Sequence, residues 1–506
     1  MHNRVHGLLQ AAAEARPDAL ALMDQDGRRL TWSGMSQAAS AAAEQLRAAG
    51  VRPGDRVVLV FENCTEVIAF FYGASLLDAS AVAINARLTT AELDRILAHS
   101  DPSAVMFTAA ASAAARAHAD HYGARDVQGA FGAAALMPRA GATPEPVSED
   151  GREQVSLLLY TSGTTGTPKA AMLTHANLLA GAAASAEVRG IQTSDVTYLA
   201  LPLSHIFGLV TMLSVTLAQS AMRMEAQFSA ERLYQALQED VTLLPAVPQM
   251  HAHLFNYARA HGKPRYDAGK LRFVSSGGAP LDPAWKREAE AFYGLPLQNG
   301  YGLTEGTAGV CATRNAFGDP DISVGLPMGG CTLELDLDAP GATPEAGIGE
   351  ILVGGPQIMK GYFRDPVQTA AALTQDGLFR TGDLGRFDDE GRLHIAGRTK
   401  ELIIRSGFNV YPVEIEAALT EHPEVVVASV VGRSVEGNEE VLAFVSAATG
   451  SSVKEAELKA FLQDRLAPYK RPARIIVAAA LPAAPTGKIL KAKLIETFAS
   501  ELADGV

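Results

Sequence analysis

Cysteine is scarce in this sequence: Cys64, Cys311 and Cys331 stand far apart in 506 residues. No CxxC, HExxH or Cys/His cluster occurs, so neither a disulfide framework nor a structural zinc site is indicated. No apolar run approaches the ~20 residues of a membrane helix, and Met1-His-Asn-Arg-Val-His-Gly7 lacks the apolar region of a signal peptide. Positive charge is in deficit. With 43 Lys and Arg against 56 Asp and Glu the net charge is −13, which argues against nonspecific nucleic-acid binding. What remains, 48% hydrophobic and 20% charged, describes a globular chain of the reduced, cytoplasmic kind. Its length exceeds one ordinary core, so two or more domains are expected.

Helix and strand signals alternate from the start. Leu8–Ala15 reads as helix, Ala19–Met23 as strand, Ser33–Ala49 as an alanine-rich helix stopped by Gly50, Arg56–Phe61 as a buried strand, and Thr65–Leu77 as helix. Such βα alternation predicts a parallel sheet covered by helices. A helix is expected over Thr108–Ala119 and a polar connector over Pro138–Gly151. Strands are expected at 196–201, 241–245, 271–275 and 297–300, with a helix from Phe207. Short strands and turns then take over at Gly349–Val353, Leu378–Arg380 and Arg392–Ile395, and Gly397–Lys400 interrupts them. The last hundred or so residues read as a small α+β unit: a helix around Pro412–Leu419, strands at 425–431 and 441–446, a helix at 455–466 and a strand at 474–478.

The most informative stretch is Leu157-Leu-Leu-Tyr-Thr-Ser-Gly-Thr-Thr-Gly-Thr-Pro-Lys169. An apolar strand opens into hydroxyls and glycines and closes on a proline and a lysine. Thr161, Ser162, Thr164, Thr165 and Thr167 offer hydroxyls, Gly163 and Gly166 let backbone N–H groups approach a ligand, and Lys169 adds a point charge. The composition suits a polyphosphate. It is not the usual P-loop, which has four residues between its glycines and Ser or Thr after the lysine. Taken alone, a Thr/Ser/Gly run is more often a plain turn; the flanking strand and Pro168-Lys169 argue otherwise. A second stretch, Asn299-Gly-Tyr-Gly-Leu-Thr-Glu305, ends a strand in a turn carrying Thr304 and Glu305. A carboxylate beside a phosphate loop calls for a cation between them, and Mg²⁺ takes one or two carboxylates plus phosphate oxygens.

Together these stretches resemble the adenylate-forming superfamily, which contains acyl-CoA synthetases, luciferases and peptide-synthetase adenylation domains. The resemblance extends from about Leu8 to Leu494, with the family motifs in order. It implies a large N-terminal domain over 1–397 made of parallel, helix-covered sheets plus a strand-rich subdomain. A hinge at 398–401 and a small mobile α+β C-terminal domain at 402–506 follow. The resemblance assigns the Thr161–Lys169 loop to the phosphates. It assigns Gly277, Gly278, Ala279 and Pro280 of Ser275-Ser-Gly-Gly-Ala-Pro280, with Asn299, Gly300, Tyr301 and Gly302, to the adenine end of ATP. Thr304 contacts the α-phosphate, Glu305 serves Mg²⁺, Asp383 accepts from the ribose hydroxyls and Arg398 assists at the nucleotide. Lys400 is the hinge residue, at a position where Asp is as usual as Lys.

His205 of Leu201-Pro-Leu-Ser-His-Ile-Phe-Gly208 borders the acyl pocket by the same resemblance and gates a pantetheine tunnel. The other pocket positions are Ile206, Phe207, Ala246, Val247, Ser276, Gly277, Gly300 and Leu326. They are uncharged and mostly small, so an apolar medium or long aliphatic acid or an aromatic acid is expected, in preference to malonate or succinate. No arginine is evident there, although one could enter from elsewhere in the fold. Arg405, Ser406, Gly407 and Phe408 resemble the loop that meets CoA, while the Arg433–Glu440 segment is shorter than the family's. Lys488 of Pro485-Thr-Gly-Lys488 would bridge the attacking carboxylate and the α-phosphate, and Lys491 reads as a solvated lysine. The implied reaction joins a carboxylic acid to CoA through an acyl-adenylate, with ATP, Mg²⁺ and coenzyme A, and a homodimer as the candidate assembly. A ligase that loads a carrier-protein phosphopantetheine and a nonenzymatic nucleotide sensor are the rival readings. Retention of Lys488 speaks against the sensor.

Overall fold

The computed structural model describes residues 3–161, 169–263, 265–266, 268–278, 281–405, 408–435, 438–447, 451–483 and 489–503. Two large sheets share the first two thirds of the chain. One has the order Gly361–Tyr362, Lys169–Thr174, Val155–Thr161, Ser80–Asn85, Arg56–Phe61, Ala104–Phe107, Gly132–Pro138, Arg125–Gly129. The other runs Leu326–Pro327, Ala308–Ala312, Leu297–Leu303, Phe273–Gly277, Leu243–Ala246, Val196–Leu199, Ala221–Met224, Leu20–Met23, Arg29–Thr31. The central pairings of both are parallel, as the βα alternation requires.

The strand Arg56–Phe61 shows why it is central. All six residues are buried, and even Arg56 is satisfied, donating to the carbonyls of Ser100, Gly54, Thr143 and Asp101. A buried guanidinium is tolerated when its donors are all engaged in this way. Between the sheets lies the helix Thr65–Leu76, buried almost all round. The alanine-rich helix Trp32–Ala48 crosses it closely, and a Cβ on Gly73 would come within 2.9 Å of the Ala43 nitrogen. Ala39, Ala42 and Ala43 are therefore small because a helix passes over them.

Thr332–Asp336, Gly349–Gly354, Phe379–Phe387 and Leu393–Arg398 form an antiparallel four-stranded sheet, the expected strand-rich region. The last strand runs straight through Gly397 and Arg398, so the interruption expected over Gly397–Lys400 moves to the short 3₁₀ turn Thr399–Glu401. Beyond it, the hairpin Ile403–Arg405/Phe408–Val410 and the sheet Val425–Val435, Asn438–Ala447, Arg474–Ala478 carry helices Pro412–Thr420, Glu455–Phe461 and Lys491–Thr497. These elements bury two small cores of their own, one around Ile415, Leu419 and Val445 and the other around Leu442, Phe444 and Leu494. The alternation of Leu442, Phe444 and Val445 between the two follows from side chains pointing to opposite faces along one strand.

Two helix expectations change. The helix expected over Thr108–Ala119 begins only at Ala113, because the Ser112 hydroxyl accepts from the Ala115 N–H and caps it there. The helix expected to reach residue 466 stops at Phe461.

Candidate active site

The loop rich in Thr, Ser and Gly closes a hairpin: Thr161 pairs with Lys169 across the antiparallel strands Val155–Thr161 and Lys169–Thr174. Ser162, Gly163, Thr164, Thr165, Gly166 and Thr167 lie outside the described residues, as do Ala279, Pro280, Ser406, Gly407 and Lys488. The two flanks of the loop are fixed. Lys169 Nζ donates to Gln368 Oε1 at 2.6 Å and stands 5.5 Å from the centre of the Tyr362 ring.

Tyr362 links this lysine to Glu305. Its hydroxyl donates to Glu305 Oε1 at 2.8 Å, and burial with the Glu305 charge beside it pushes the phenol pKa up, which keeps it a donor. The backbone secures the same join: Met359 N–H donates to Glu305 O, and Lys360 N–H to Met172 O of the hairpin. Thr304 and Glu305 occupy a 3₁₀ turn, Thr304–Gly306. The turn is tight enough that a Cβ on Gly302 would fall 1.9 Å from the Ala308 carbonyl oxygen. Only Oε1 of Glu305 has a partner among the described residues, which leaves Oε2 available. Among the described residues no group of three His, Cys, Asp or Glu could hold a metal. One available carboxylate oxygen, linked through Tyr362 to Lys169 at the end of the loop expected to take phosphate, fits Mg²⁺, which keeps phosphate and water oxygens in its shell and needs no all-protein cage.

A level shelf lies alongside. Gly277, Gly300, Ala312 and Leu326 are register partners across four adjacent strands, at the end of the parallel strands where open α/β sheets bind ligands. Two glycines and an alanine put no bulky side chain there, Gly277 being buried and Gly300 and Ala312 half-buried, so a flat ring can lie against backbone. Gly300 has a further reason to lack a side chain, since its Cβ would meet Cys311 O at 3.0 Å. Leu326 ends the row at the sheet edge and is 51% exposed. Asn299 turns the other way, as strand alternation demands: it is buried and donates its amide to Ser323 O at 2.9 Å.

At the rim, Tyr301 OH donates to Asp383 Oδ2 at 2.5 Å, and Arg398 Nε donates to Asp383 Oδ1 at 2.7 Å. Asp383 and Arg398 are cross-strand partners, and Asp383 is only 5% exposed. The bend that presents Asp383 is built by Thr381, whose hydroxyl donates to Ile351 O and accepts from the Asp383 N–H, with Gly382 at φ +70°. Burial and the Asp383 charge push the Tyr301 phenol up. Burial works against the charge of Arg398, yet Asp383 and Glu401 hold its pKa above the ordinary value. A carboxylate has about four lone-pair sites, so two protein donors leave Asp383 able to accept from two more hydroxyls.

The sequence-predicted pocket residues divide. His205 is exposed, and its Nδ1 accepts from the Phe207 N–H, capping the helix Ile206–Leu217. Gly208 is required by the entry to that helix, because a Cβ there would lie 2.3 Å from Pro202 O. Phe207 reaches Gly277: its ring edge would touch a Cβ on that glycine at 3.4 Å. Gly278, exposed, follows with φ +81°, and a Cβ there would be 3.8 Å from Val247. Ile206, Ala246 and Ser276 are buried, and the Ser276 hydroxyl has no partner among the described residues.

In the C-terminal part, Arg405 donates to the carbonyls of Tyr469 and Arg471, and Phe408 stacks on Tyr469 with ring centres 4.5 Å apart. Tyr411, behind this hairpin, donates to Gly341 O at 3.1 Å. Lys400 sits in the Thr399–Glu401 turn. Lys491 is not the solvated lysine expected. It is paired with Glu401 at 2.7 Å and Glu416 at 2.9 Å, and although burial opposes its charge, these two carboxylates hold its pKa up.

Sequence reasoning missed Tyr362, Gln368 and one further side chain, Arg189, whose guanidinium lies 5.7 Å from the centre of the Phe207 ring. None stands in a motif, and only the fold brings them to the site.

Known proteins share this architecture and are similar in sequence. The family model described as AMP-binding enzyme matches residues 9–363, and that of the AMP-binding enzyme C-terminal domain matches residues 414–488. The chain is 34% identical over 482 residues to a long-chain-fatty-acid–CoA ligase of Mycobacterium tuberculosis, covering 93% of this chain and 94% of that one. It is 34% identical over 493 residues to 2-succinylbenzoate–CoA ligase of Geobacillus kaustophilus, covering 96% of each. ATP-bound MatB of Rhodopseudomonas palustris superposes with a TM-score of 0.84 at 30% identity, covering 98% of this chain and 99% of that one. The apo form of the same protein, at the same identity and coverage, gives 0.76.

Proposed function

The chain belongs to the AMP-binding enzymes, the adenylate-forming superfamily, as an AMP-forming acid–CoA ligase that uses ATP, Mg²⁺ and coenzyme A, and we propose how its residues divide that work. The observation that carries the assignment is that one segment, Gly300–Glu305, joins the Gly277–Gly300 shelf, the Tyr301–Asp383–Arg398 network and the Glu305–Tyr362–Lys169 cluster. Adenine lies on the shelf beside Tyr301, the ribose hydroxyls donate to Asp383, and the phosphates enter the hairpin loop between Thr161 and Lys169. Glu305, its Oε1 engaged by Tyr362, would be the residue to hold Mg²⁺. Bound there, the ion neutralises charge on the phosphate oxygens.

In the first step a carboxylate oxygen of the acid bonds to the α-phosphorus and the bond to pyrophosphate breaks. In the second, the CoA thiol, losing its proton, bonds to the carbonyl carbon and AMP leaves with the electron pair. Thr304 faces the α-phosphate, and Lys488 supplies positive charge as the oxygens around phosphorus become crowded and more negative. His205 and the Arg405–Phe408 hairpin border the thiol's route. The better superposition on an ATP-bound relative than on its apo form supports an arrangement suited to the first step.

The acid has an apolar body, aliphatic of medium or long chain or aromatic, because Ile206, Phe207, Ala246, Val247 and Gly277 offer it no charge. The names of the relatives do not choose between these, one being a long-chain-fatty-acid ligase and another a 2-succinylbenzoate ligase. The test is product analysis with an acid panel. AMP, pyrophosphate and acyl-CoA should form in equal amounts only when ATP, CoA and a carboxylic acid are all present. Acid-independent ATP cleavage, or ADP as product, overturns the assignment.

Glu305→Gln preserves an acceptor for Tyr362 but removes the charge. The Mg²⁺ concentration for half-maximal rate should rise about tenfold, the equivalent of roughly 1.4 kcal/mol, with the KM for the acid little changed. An unchanged Mg²⁺ titration at saturating acid would make Glu305 a structural partner of Tyr362 only.

A further inference from the structure

Arg189 is the last residue of the helix His175–Arg189, and its position is unusual for a cation. Its guanidinium is part-buried, lies over the face of Phe207, and hydrogen-bonds the buried Ser185 hydroxyl. Among the described residues no carboxylate pairs with it. Glu187, two residues before it, is turned toward Arg314 at 3.5 Å. Burial alone lowers its pKa, to about 10, with no neighbouring charge to restore it. By contrast Arg398, Arg272 and Arg232 each meet a carboxylate.

A helix C-terminus and an aromatic face both favour a cation. Neither replaces the solvation that a guanidinium loses on burial, nor fills its five donors. What distinguishes this arginine from a helix-end charge is what Phe207 touches next. The same ring reaches Gly277 on the ligand shelf, so one phenyl group separates the unpaired cation from the wall of the acyl pocket.

We propose that Arg189 anchors a second anionic group of the acid substrate, a carboxylate or an isosteric sulfonate at the end away from the carboxyl that is activated. This rests on the ligase reading and narrows its substrate class: an acid with an apolar body and a charged far end. It also reverses the expectation of a wholly neutral acid, because the basic group absent from the pocket motifs arrives from a helix earlier in the chain. The planar fork suits bidentate pairing with such an anion, while Ser185 and Phe207 hold the guanidinium in place.

The experiment compares α,ω-dicarboxylates from succinate to sebacate, each beside the monocarboxylate of the same length, by CoA-dependent AMP release. At the best length the dicarboxylate should exceed its monocarboxylate partner in kcat/KM by about a hundredfold or more, as expected when a buried, hydrogen-bonded charge pair loses one partner. Arg189→Met should abolish or reverse that ratio, mainly through the KM of the dicarboxylate, and Arg189→Lys should restore part of it. A wild-type enzyme that prefers the monocarboxylate at every length overturns the proposal, whether or not the variants fold. So does an Arg189→Met enzyme that keeps the wild-type ratio. If neither series supports AMP release but an aromatic or longer-chain acid does, this inference alone is overturned; if no carboxylic acid of the wider panel does so, the ligase reading fails and this inference falls with it.

Discussion

Lys488→Ala should cut carboxylate-dependent pyrophosphate exchange by two to three orders of magnitude, about 3–4 kcal/mol in barrier, by analogy with loss of an oxyanion-hole donor. The charge matters most when five oxygens crowd the phosphorus, and it matters little once the mixed anhydride exists. A purified acyl-adenylate supplied to the variant should therefore still react with CoA at a near-normal rate. The side chain lies outside the described residues, but the loop that carries it is pinned at both ends. Ala483 pairs with Ile489, and Leu490 N–H donates to Pro482 O at 2.8 Å. Three residues on, Lys491 is tied to Glu401 and Glu416. Substituting Lys488 should leave these clamps in place, so a selective loss reports on the charge. If thiolation of the preformed adenylate falls as steeply as exchange, Lys488 is serving the fold or both steps, and the assignment of one lysine to one step is wrong.

What could be read from sequence was what a few consecutive residues decide. A strand that breaks into hydroxyls and glycines announces the turn between the paired strands Val155–Thr161 and Lys169–Thr174, and a continuous apolar run such as Arg56–Phe61 announces a strand buried on both faces. What could not be read depends on neighbours far along the chain. Tyr362 orients Glu305 from 57 positions away, and nothing around it differs from an ordinary strand tyrosine. Lys491 resembles any lysine beside a Gly-containing turn until Glu401, 90 positions earlier, is placed against it. Arg189 looks like a routine helix-ending charge, because the sequence does not say that Phe207 lies over it. Asn299 shows the converse. Its motif assigned it to the nucleotide, but strand alternation sends its amide inward to Ser323, so the motif position and the side chain's task separate.

Lys400→Pro should spare the first half-reaction and block the second. The argument concerns backbone, not charge. We propose Lys400 as the pivot on which the C-terminal domain turns, and it occupies the 3₁₀ turn Thr399–Glu401 between Arg398, which holds Asp383, and Glu401, which holds Lys491. Residues of such turns have φ of about −50 to −70°, close to the value near −65° that proline fixes. Proline is thus pre-set for the conformation seen here, at the cost of disfavouring helical backbone at Thr399. A large rotation at residue 400 is what it forbids, and a hinge residue must absorb such a rotation if two arrangements are to alternate. Carboxylate-dependent pyrophosphate exchange should stay within about tenfold of wild type, roughly 1.4 kcal/mol in barrier. Thioester formation from preformed adenylate should fall by about two orders of magnitude or more, the equivalent of roughly 2.7 kcal/mol. Lys400→Ala separates the side chain from the backbone, since it removes the ammonium and leaves the peptide free to turn; it should retain most of both activities. Equal losses in both half-reactions of the proline variant would mean that the junction is merely destabilised. Thioester formation near wild type would show that the chain turns somewhere other than residue 400.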